Sequence, residues 1–124
     1  MSSSYRDLIV WQKAMDLTEM IYKATGEFPK EEKYGLISQL RRASVSVPSN
    51  IAEGQGRLTP GEFRYFLGIA RGSLLEIETQ LLLAERFQML EHRTVERIFV
   101  QSTEIKKMLH GLAESIGESP ATRN

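Results

Sequence analysis

The third apolar segment of the chain, which opens with RLTPGEF at residues 57–63, constrains the fold most. Thr59, Pro60 and Glu62 fit the N-cap, N1 and N3 positions at which a helix begins. The apolar residues that follow have the spacing of one buried helix face; they are Phe63, Phe66, Leu67, Ala70, Leu74, Ile77, Leu81 and Ala84. The segment therefore predicts a helix that continues at least to Ala84.

Three further segments carry apolar residues at helical spacing, and none keeps a period of two. The first runs from about Tyr5 to Thr25, with Ser4 and Asp7 as a capping box and Gly26 at the C′ position. The second follows EFPKEE, whose paired glutamates suit a helix N-terminus. The fourth spans 95–116. The sequence thus predicts four helices.

Pro48 lies inside the apolar period of the second segment, whose members are Ile37, Leu40, Val47 and Ile51. It could mark the restart of a new helix or a kink in one long helix. The apolar stripe keeps its phase across Pro48, and Val47 would be a poor N-cap for a restart. We therefore predict one long helix that is kinked at Pro48.

Four helices with short connections predict an all-α fold, an antiparallel up-down four-helix bundle. A chain of 124 residues with 41% hydrophobic content is long enough for one domain and too short for two ordinary ones. We assign residues 1–117 to this domain, ending at Gly117, and expect 118–124 to form a disordered tail.

Several classes of function are disfavoured by what the sequence lacks. Cysteine is absent, which excludes disulfides and is typical of a reducing compartment, so we expect a cytoplasmic protein. We find no apolar run of signal-peptide or membrane-spanning length and expect no membrane partner. His92 and His110 show no ligand spacing, and no nucleophile constellation is recognisable, so we expect no metal, no cofactor and no enzymatic activity.

Positive charge gathers in the middle of the chain, although 16 basic and 16 acidic residues cancel overall. This region holds five arginines that we select as candidate nucleic-acid contacts: Arg41, Arg42, Arg57, Arg64 and Arg71. Guanidinium forms paired hydrogen bonds to phosphate oxygens and keeps its charge. A solvated helix face or salt bridges between helices would use the same arginines, and both interpretations remain open.

GIARGS at residues 68–73 places Gly68 and Gly72 one turn apart inside the third helix, at a cost of about 1 kcal/mol each relative to alanine. We expect close packing to compensate, against the side of the second helix that carries Ala43, Ser46 and Ala52. The alternative is that the two glycines clear space for a subunit or an RNA strand.

Asn50 and Glu53 precede two glycines, but their spacing fits neither the dinucleotide-binding nor the P-loop pattern. We therefore assign packing roles to Asn50 and Glu53, together with Pro48, Gly68 and Gly72.

Three stretches resemble the small bacterial four-helix bundle proteins of the 23S ribosomal RNA intervening-sequence family, over roughly the first 83 residues: YRDLIVWQKAMDL, FPKEEKYGLISQLRRASVSVPSNIAEGQGR and FRYFLGIARGSLLEIETQL. The resemblance implies a four-helix bundle that assembles into a ring-shaped homopentamer. The family name reflects a location within inserted segments of ribosomal RNA genes and is not an activity. The chain is also similar to the accessory bundle proteins of diversity-generating retroelements, which are implicated in binding RNA and a reverse transcriptase.

Two functional hypotheses follow from the residues and the resemblance. The first is a non-enzymatic oligomer that binds structured RNA through an arginine-bearing face of the second and third helices, by phosphate contact without base readout. The second is a protein-interaction adaptor or structural oligomer with no nucleic-acid binding. Salt dependence separates them, since phosphate binding weakens steeply as salt rises.

Overall fold

The computed structural model describes residues 4–116, which fold into four α-helices and contain no strand. The helices are α1 (Ile9–Thr25), α2 (Leu36–Gln55), α3 (Pro60–Arg86) and α4 (His92–Ile116). Short 3-10 helices at Tyr5–Asp7 and Lys30–Glu32 precede α1 and α2. The all-α prediction is confirmed for this part of the chain, whereas Gly117 and the predicted tail at 118–124 lie outside the described residues.

Each helix packs against two others: α1 contacts α2 and α4, and α3 contacts α2 and α4. Residues near the end of one helix meet residues near the start of its neighbour: Thr25 of α1 meets Arg41 of α2, Gln80 of α3 meets Gln39 of α2, and Glu85 of α3 meets His92 of α4. Neighbouring helices therefore run antiparallel, as expected of an up-down bundle. No helix within residues 4–116 combines the length and apolar character needed to cross a membrane.

The helix starts follow the predicted capping chemistry, with two shifts. Thr59 Oγ1 accepts a hydrogen bond from the Glu62 amide at 3.1 Å, which confirms the start of α3. The Ser4 capping box also forms, but it caps the 3-10 turn, and α1 itself begins only at Ile9. Similarly, α2 begins at Leu36, whose amide donates to Glu32 Oε1 at 3.1 Å.

Gly26 ends α1 as its C-cap residue with a φ of −63°, so the predicted C′ position is wrong by one residue. A right-handed conformation is open to any residue, and the left-handed conformation for which glycine is favoured at C′ does not occur there. The left-handed turn lies instead between α3 and α4, where Gln88 has a φ of 62°. The Gln88 amide donates to the Glu85 carbonyl at 3.0 Å, and the Met89 amide donates to the Ala84 carbonyl at 2.8 Å, which closes α3.

The second helix is continuous through Pro48, as the preserved apolar phase predicted; the kink stays a prediction. Proline has no amide hydrogen, so the Ser44 carbonyl four residues earlier loses its usual helical donor. Thr18 of α1 replaces it, because its hydroxyl lies 2.9 Å from the Ser44 carbonyl oxygen. This contact lets a proline sit in the buried side of α2 without leaving a carbonyl unpaired.

Apolar side chains from all four helices form one core. Its largest fully buried members are Leu17, Ile21, Leu40, Val47, Ile51, Leu67, Leu74, Ile77, Leu81, Ile98, Ile105 and Leu109. The buried face predicted for α3 is confirmed from Leu67 to Ala84, whereas Phe63 and Phe66 are only half-buried. The opposite side of this helix, called here the outer face of α3, consists of Gly61, Tyr65, Gly68, Gly72, Leu75, Thr79, Leu82 and Leu83, all exposed.

Candidate nucleic-acid interface

Arg41 is engaged inside the bundle. It extends from α2 to the C-terminal end of α1, where Nε donates to Thr25 Oγ1 at 2.8 Å and Nη2 donates to the Tyr22 carbonyl at 3.2 Å. The guanidinium also lies 4.5 Å from the centre of the Tyr22 ring. A cation at a helix C-terminus is favourable because the last carbonyls carry partial negative charge. Arg41 therefore ties α1 to α2.

Arg57 stands just beyond the end of α2 and has two partners. Its Nη2 lies 2.6 Å from Oε2 of Glu53, four residues earlier, and its guanidinium lies 4.7 Å from the Phe66 ring centre. Both partners of the ion pair are about half-exposed, so the pair contributes only about 0.3–0.5 kcal/mol. An external anion that binds Arg57 more tightly than Glu53 does would displace the Glu53 carboxylate at little cost in free energy.

Arg42, Arg64 and Arg71 are exposed, and none has a hydrogen bond or ion pair to a residue within 4–116. Arg64 and Arg71 are seven positions apart, which is two helical turns, so they lie on the same side of α3. On that side Arg71 borders a groove with Thr103, Lys106 and Lys107 of α4.

The five arginines therefore do not form one face, and the prediction of a common face is wrong. Arg41 is directed towards α1, whereas Arg71 is directed towards α4. Arg42 is exposed on α2, and Arg57 lies just beyond the end of that helix against Phe66 of α3. The physical reason is that positions one residue apart on a helix differ by about 100° in direction, so Arg41 and Arg42 separate.

The polar side chains of Ser46 and Asn50 on α2 are turned towards α3. Ser46 Oγ and Ser73 Oγ lie 2.8 Å apart, and Asn50 Nδ2 donates to Ser46 Oγ at 2.9 Å. Because Ser46 accepts from Asn50, its own proton is available to Ser73. Asn50 thus supports a polar contact between α2 and α3, while Glu53 stays outside and pairs with Arg57.

Gly68 and Gly72 are exposed, and a Cβ added at either would meet nothing within 4 Å. The predicted packing of these glycines against α2 is wrong within the chain, because they lie on the outer face of α3. The close approach occurs at Gly54 instead, where an added Cβ would stand 2.8 Å from Phe66 Cβ and 3.2 Å from the Phe63 carbonyl oxygen. The alternative interpretation remains for Gly68 and Gly72, namely that they clear space for a subunit or an RNA strand.

An ionic contact that the sequence did not reveal joins α3 to α4. Glu78 Oε2 lies 2.8 Å from Lys106 Nζ and accepts a hydrogen bond from Ser102 Oγ at 2.6 Å. The Glu78 side chain is mostly buried. The signal was the polar Ser102 within an otherwise apolar seam of α4, but its partner on α3 depends on how the two helices are aligned.

The histidines are exposed and far apart. His92 Nδ1 lies 2.8 Å from Glu85 Oε2, and this hydrogen bond and the negative charge of Glu85 raise the pKa of His92. His110 Nε2 lies 3.5 Å from Glu114 Oε2 on the next turn of α4. Within residues 4–116, no three His, Asp or Glu side chains are grouped so as to hold a metal ion.

Comparisons with known proteins place the chain among similar bundles. The family model described as 23S rRNA-intervening sequence protein matches residues 6–111. A crystal structure of a protein with unknown function from the S23 ribosomal protein family of Bacteroides thetaiotaomicron has a TM-score of 0.76 and 26% sequence identity. The match covers 85% of this chain and 98% of that chain. Among curated proteins none matches.

Proposed function

This chain belongs to the 23S rRNA-intervening sequence protein family, and on that premise we propose that it is a non-enzymatic, oligomeric bundle that binds structured RNA. The observation that carries the proposal is the open backbone at Gly68 and Gly72, beside the unpaired Arg64 and Arg71. Recognition is of phosphate and shape, without base readout.

The first half of α3 has the charge needed for a phosphate contact. Its exposed charged residues are Arg64, Arg71 and Glu62, and the Glu62 carboxylate already lies 3.3 Å from the Thr59 hydroxyl at the helix start. The two guanidinium groups are therefore available to an external anion. Arginine suits this task because its planar group presents several donors to phosphate oxygens.

The glycines bring the ligand close to the helix. Each costs about 1 kcal/mol relative to alanine in a helix interior, and nothing within the described chain compensates for that cost. Contact of a sugar-phosphate backbone with the bare α3 backbone at Gly68 and Gly72 would compensate for this cost. It would also place phosphates within reach of Arg64 and Arg71.

The other candidate arginines contribute unequally. Arg42 is unpaired in residues 4–116 and extends the basic surface onto α2, and Arg57 becomes available when Glu53 is displaced. Arg41 contributes least, because three groups of α1 already surround its guanidinium. Substitution of Arg64 or Arg71 should therefore lower RNA affinity most. Substitution of Arg42 should lower it less, and substitution of Arg57 less again.

Fluorescence anisotropy with a labelled structured RNA over a salt series tests this. We expect log K to fall linearly with log salt, and Arg64→Gln or Arg71→Gln to reduce that slope by about 0.7–0.9 each. Arg93→Gln is the matched control, since Arg93 is exposed at the start of α4, at the opposite end of the bundle. Salt-insensitive binding, or equal slopes in all three variants, would contradict the proposal.

Self-association is the second part of the proposal, with the ring-shaped homopentamer implied by the family resemblance as its form. Leu75, Leu82 and Leu83 on the outer face of α3 are 41%, 49% and 39% exposed, which is unusual for three leucines on one helix. A separate apolar groove lies between α1 and α2 and includes Met15 and Val45. A ring with head-to-tail contacts needs two different complementary surfaces, and the presence of two separate apolar surfaces supports this form.

Sedimentation equilibrium tests the assembly. We expect the intact chain to sediment as an oligomer and Leu82→Lys to dissociate it, because a charge in an apolar interface is costly. Leu58→Lys is the control, since Leu58 is 97% exposed and belongs to neither surface. A monomeric intact protein would refute this part of the proposal.

A protein-interaction adaptor is the second candidate function, favoured by the same exposed leucines. In that case a partner protein would cover the outer face of α3, and binding would depend little on salt. The RNA salt series and the sedimentation measurement together distinguish the two functions.

A further inference from the structure

The groove between α3 and α4 contains a concentration of positive charge that lies outside the predicted arginine set. Its lining consists of Arg71, Thr103, Lys106, Lys107 and His110. Four of these five side chains can carry a positive charge, and none is acidic. Such a composition is unusual on a chain whose acidic and basic residues balance.

Two of the side chains in this groove already have an acidic partner. Lys106 Nζ lies 2.8 Å from Glu78 Oε2, and His110 Nε2 lies 3.5 Å from Glu114 Oε2. The Lys106–Glu78 pair also fixes the spacing of α3 and α4 beside the groove, because Glu78 accepts from Ser102 as well. One side of the groove is therefore held by contacts between α3 and α4.

Arg71 and Lys107 remain without an anionic partner among residues 4–116. The Thr103 hydroxyl likewise has no hydrogen bond to the described chain, whereas Thr18 and Thr79 each bond a carbonyl of the preceding turn. A guanidinium, an ammonium and a hydroxyl thus border one groove, and all three can donate hydrogen bonds to oxygen.

We infer that this groove is a phosphate-binding site, in which Arg71 of α3 and Thr103, Lys107 and His110 of α4 surround one phosphate group. The inference rests on the proposed function, since the phosphate is that of the RNA backbone, and it adds α4 to the interface. Arginine supplies a paired contact and lysine a mobile point charge, a combination suited to a tetrahedral oxyanion.

The two histidines allow the site to be tested with inorganic phosphate alone. In proton NMR the ring signal of His110 reports on the groove, and that of His92 is an internal control, about 27 Å away along α4. We expect phosphate, exchanged for chloride at constant pH and ionic strength, to shift the His110 signal saturably and leave the His92 signal unchanged. His92→Gln assigns the two signals.

Substitutions connect the shift to the groove. Lys107→Gln and Arg71→Gln should each abolish saturation, while Lys33→Gln, at an exposed lysine before α2, should not. All three side chains are exposed, so the variants are expected to fold, and circular dichroism checks this. Equal movement of both histidine signals, or of neither, would overturn the inference.

RNA binding provides the second arm. We expect Lys107→Gln to lower the salt slope by about 0.7–0.9, as Arg71→Gln does, and the double variant to lose less than the sum because both side chains share one phosphate. Strong RNA binding with an unchanged slope in Lys107→Gln would overturn the groove site and leave the proposed function intact. No RNA binding by the intact protein would overturn the proposed function, and the phosphate titration alone would then decide the groove.

Discussion

Gly54 on α2 and the pair Gly68 and Gly72 on α3 differ in what lies within reach of a side chain added at each position. At Gly54 the added atom would collide with Phe66 and the backbone of Phe63, whereas at Gly68 and Gly72 it would meet nothing. The first glycine permits two helices of the same chain to approach each other. The other two leave the surface of α3 bare, with nothing of the described chain beside them.

The same contrast holds for polar groups. On the inner contacts they are paired, as Thr18 pairs with the Ser44 carbonyl and Ser46 with Ser73. By contrast, the exposed Arg64 and Arg71 of α3 have no partner among residues 4–116. Substitutions at the contacts between helices should therefore change the free energy of unfolding. Substitutions of the exposed Arg64 and Arg71 should change the affinity for RNA.

Gly54→Ala should have the largest effect. Its Cβ would lie 2.8 Å from Phe66 Cβ and 3.2 Å from a backbone oxygen, so α2 and α3 would have to move apart. Overpacking of this kind costs about 1–3 kcal/mol, and we expect the upper part of that range because backbone is involved. Urea denaturation monitored by circular dichroism measures the change. Gly56→Ala is the control, since its nearest atoms would be 3.7 Å away; equal losses in both variants would contradict the explanation.

Thr18→Val should come next, at about 1–2 kcal/mol, because the Ser44 carbonyl would lose the hydroxyl that replaces the missing amide of Pro48. Valine keeps the shape of threonine, so the change removes only the hydroxyl, which lies 2.9 Å from the Ser44 carbonyl oxygen and 3.0 Å from that of Ala14. In a Pro48→Ala background the restored amide would serve the same carbonyl, and the cost should largely disappear. A double-mutant cycle with no coupling between positions 18 and 48 would show that the hydroxyl has another role.

Part of this contrast could be predicted from the sequence, because caps and apolar periods indicate where each helix lies and which residues share its buried face. The caps and apolar periods were sufficient for the four helices. The position of Gly54 was also readable, since Val47, Ile51 and Gly54 follow at spacings of four and three and so share the buried face. Gly68 and Gly72 fall outside the corresponding stripe of α3, and this phase is the signal that contradicted the packing interpretation.

Contacts between helices were beyond prediction from one sequence. The periodicity of α3 and of α4 gives the direction of each residue around its own helix but not the alignment of the two helices. Glu78 with Lys106, and Arg71 with Lys107, are brought together by that alignment. For the same reason the engagement of Arg41 by Tyr22 and Thr25 of α1 left no signal in the sequence.

Gly72→Ala should have a smaller effect of the opposite sign on stability. With open space around the new methyl group, helix propensity alone applies, and the free energy of unfolding should rise by about 1 kcal/mol. RNA binding should weaken in the same variant, because the methyl group separates the ligand from the α3 backbone. Thermal denaturation and anisotropy measure the two effects. Gly111→Ala, in equally open space on α4, is the control, and it should raise the stability without changing the affinity for RNA.

The His92–Glu85 contact between the start of α4 and the end of α3 is paired yet exposed, so it should give the smallest effect. The hydrogen bond and charge of Glu85, and then the charge of Glu96, outweigh desolvation and raise the pKa of His92 above 6.5. A pKa raised by folding stabilises the folded state fully below the unfolded value, and this contribution is lost as pH rises through the folded value. We therefore expect the melting temperature to fall slightly between about pH 6 and pH 8, and to fall less in Glu85→Gln. Titration of the His92 ring signal checks the cause directly: its pKa should drop towards 6.5 in Glu85→Gln, and an unchanged value would show that Glu85 does not bond to the imidazole in solution.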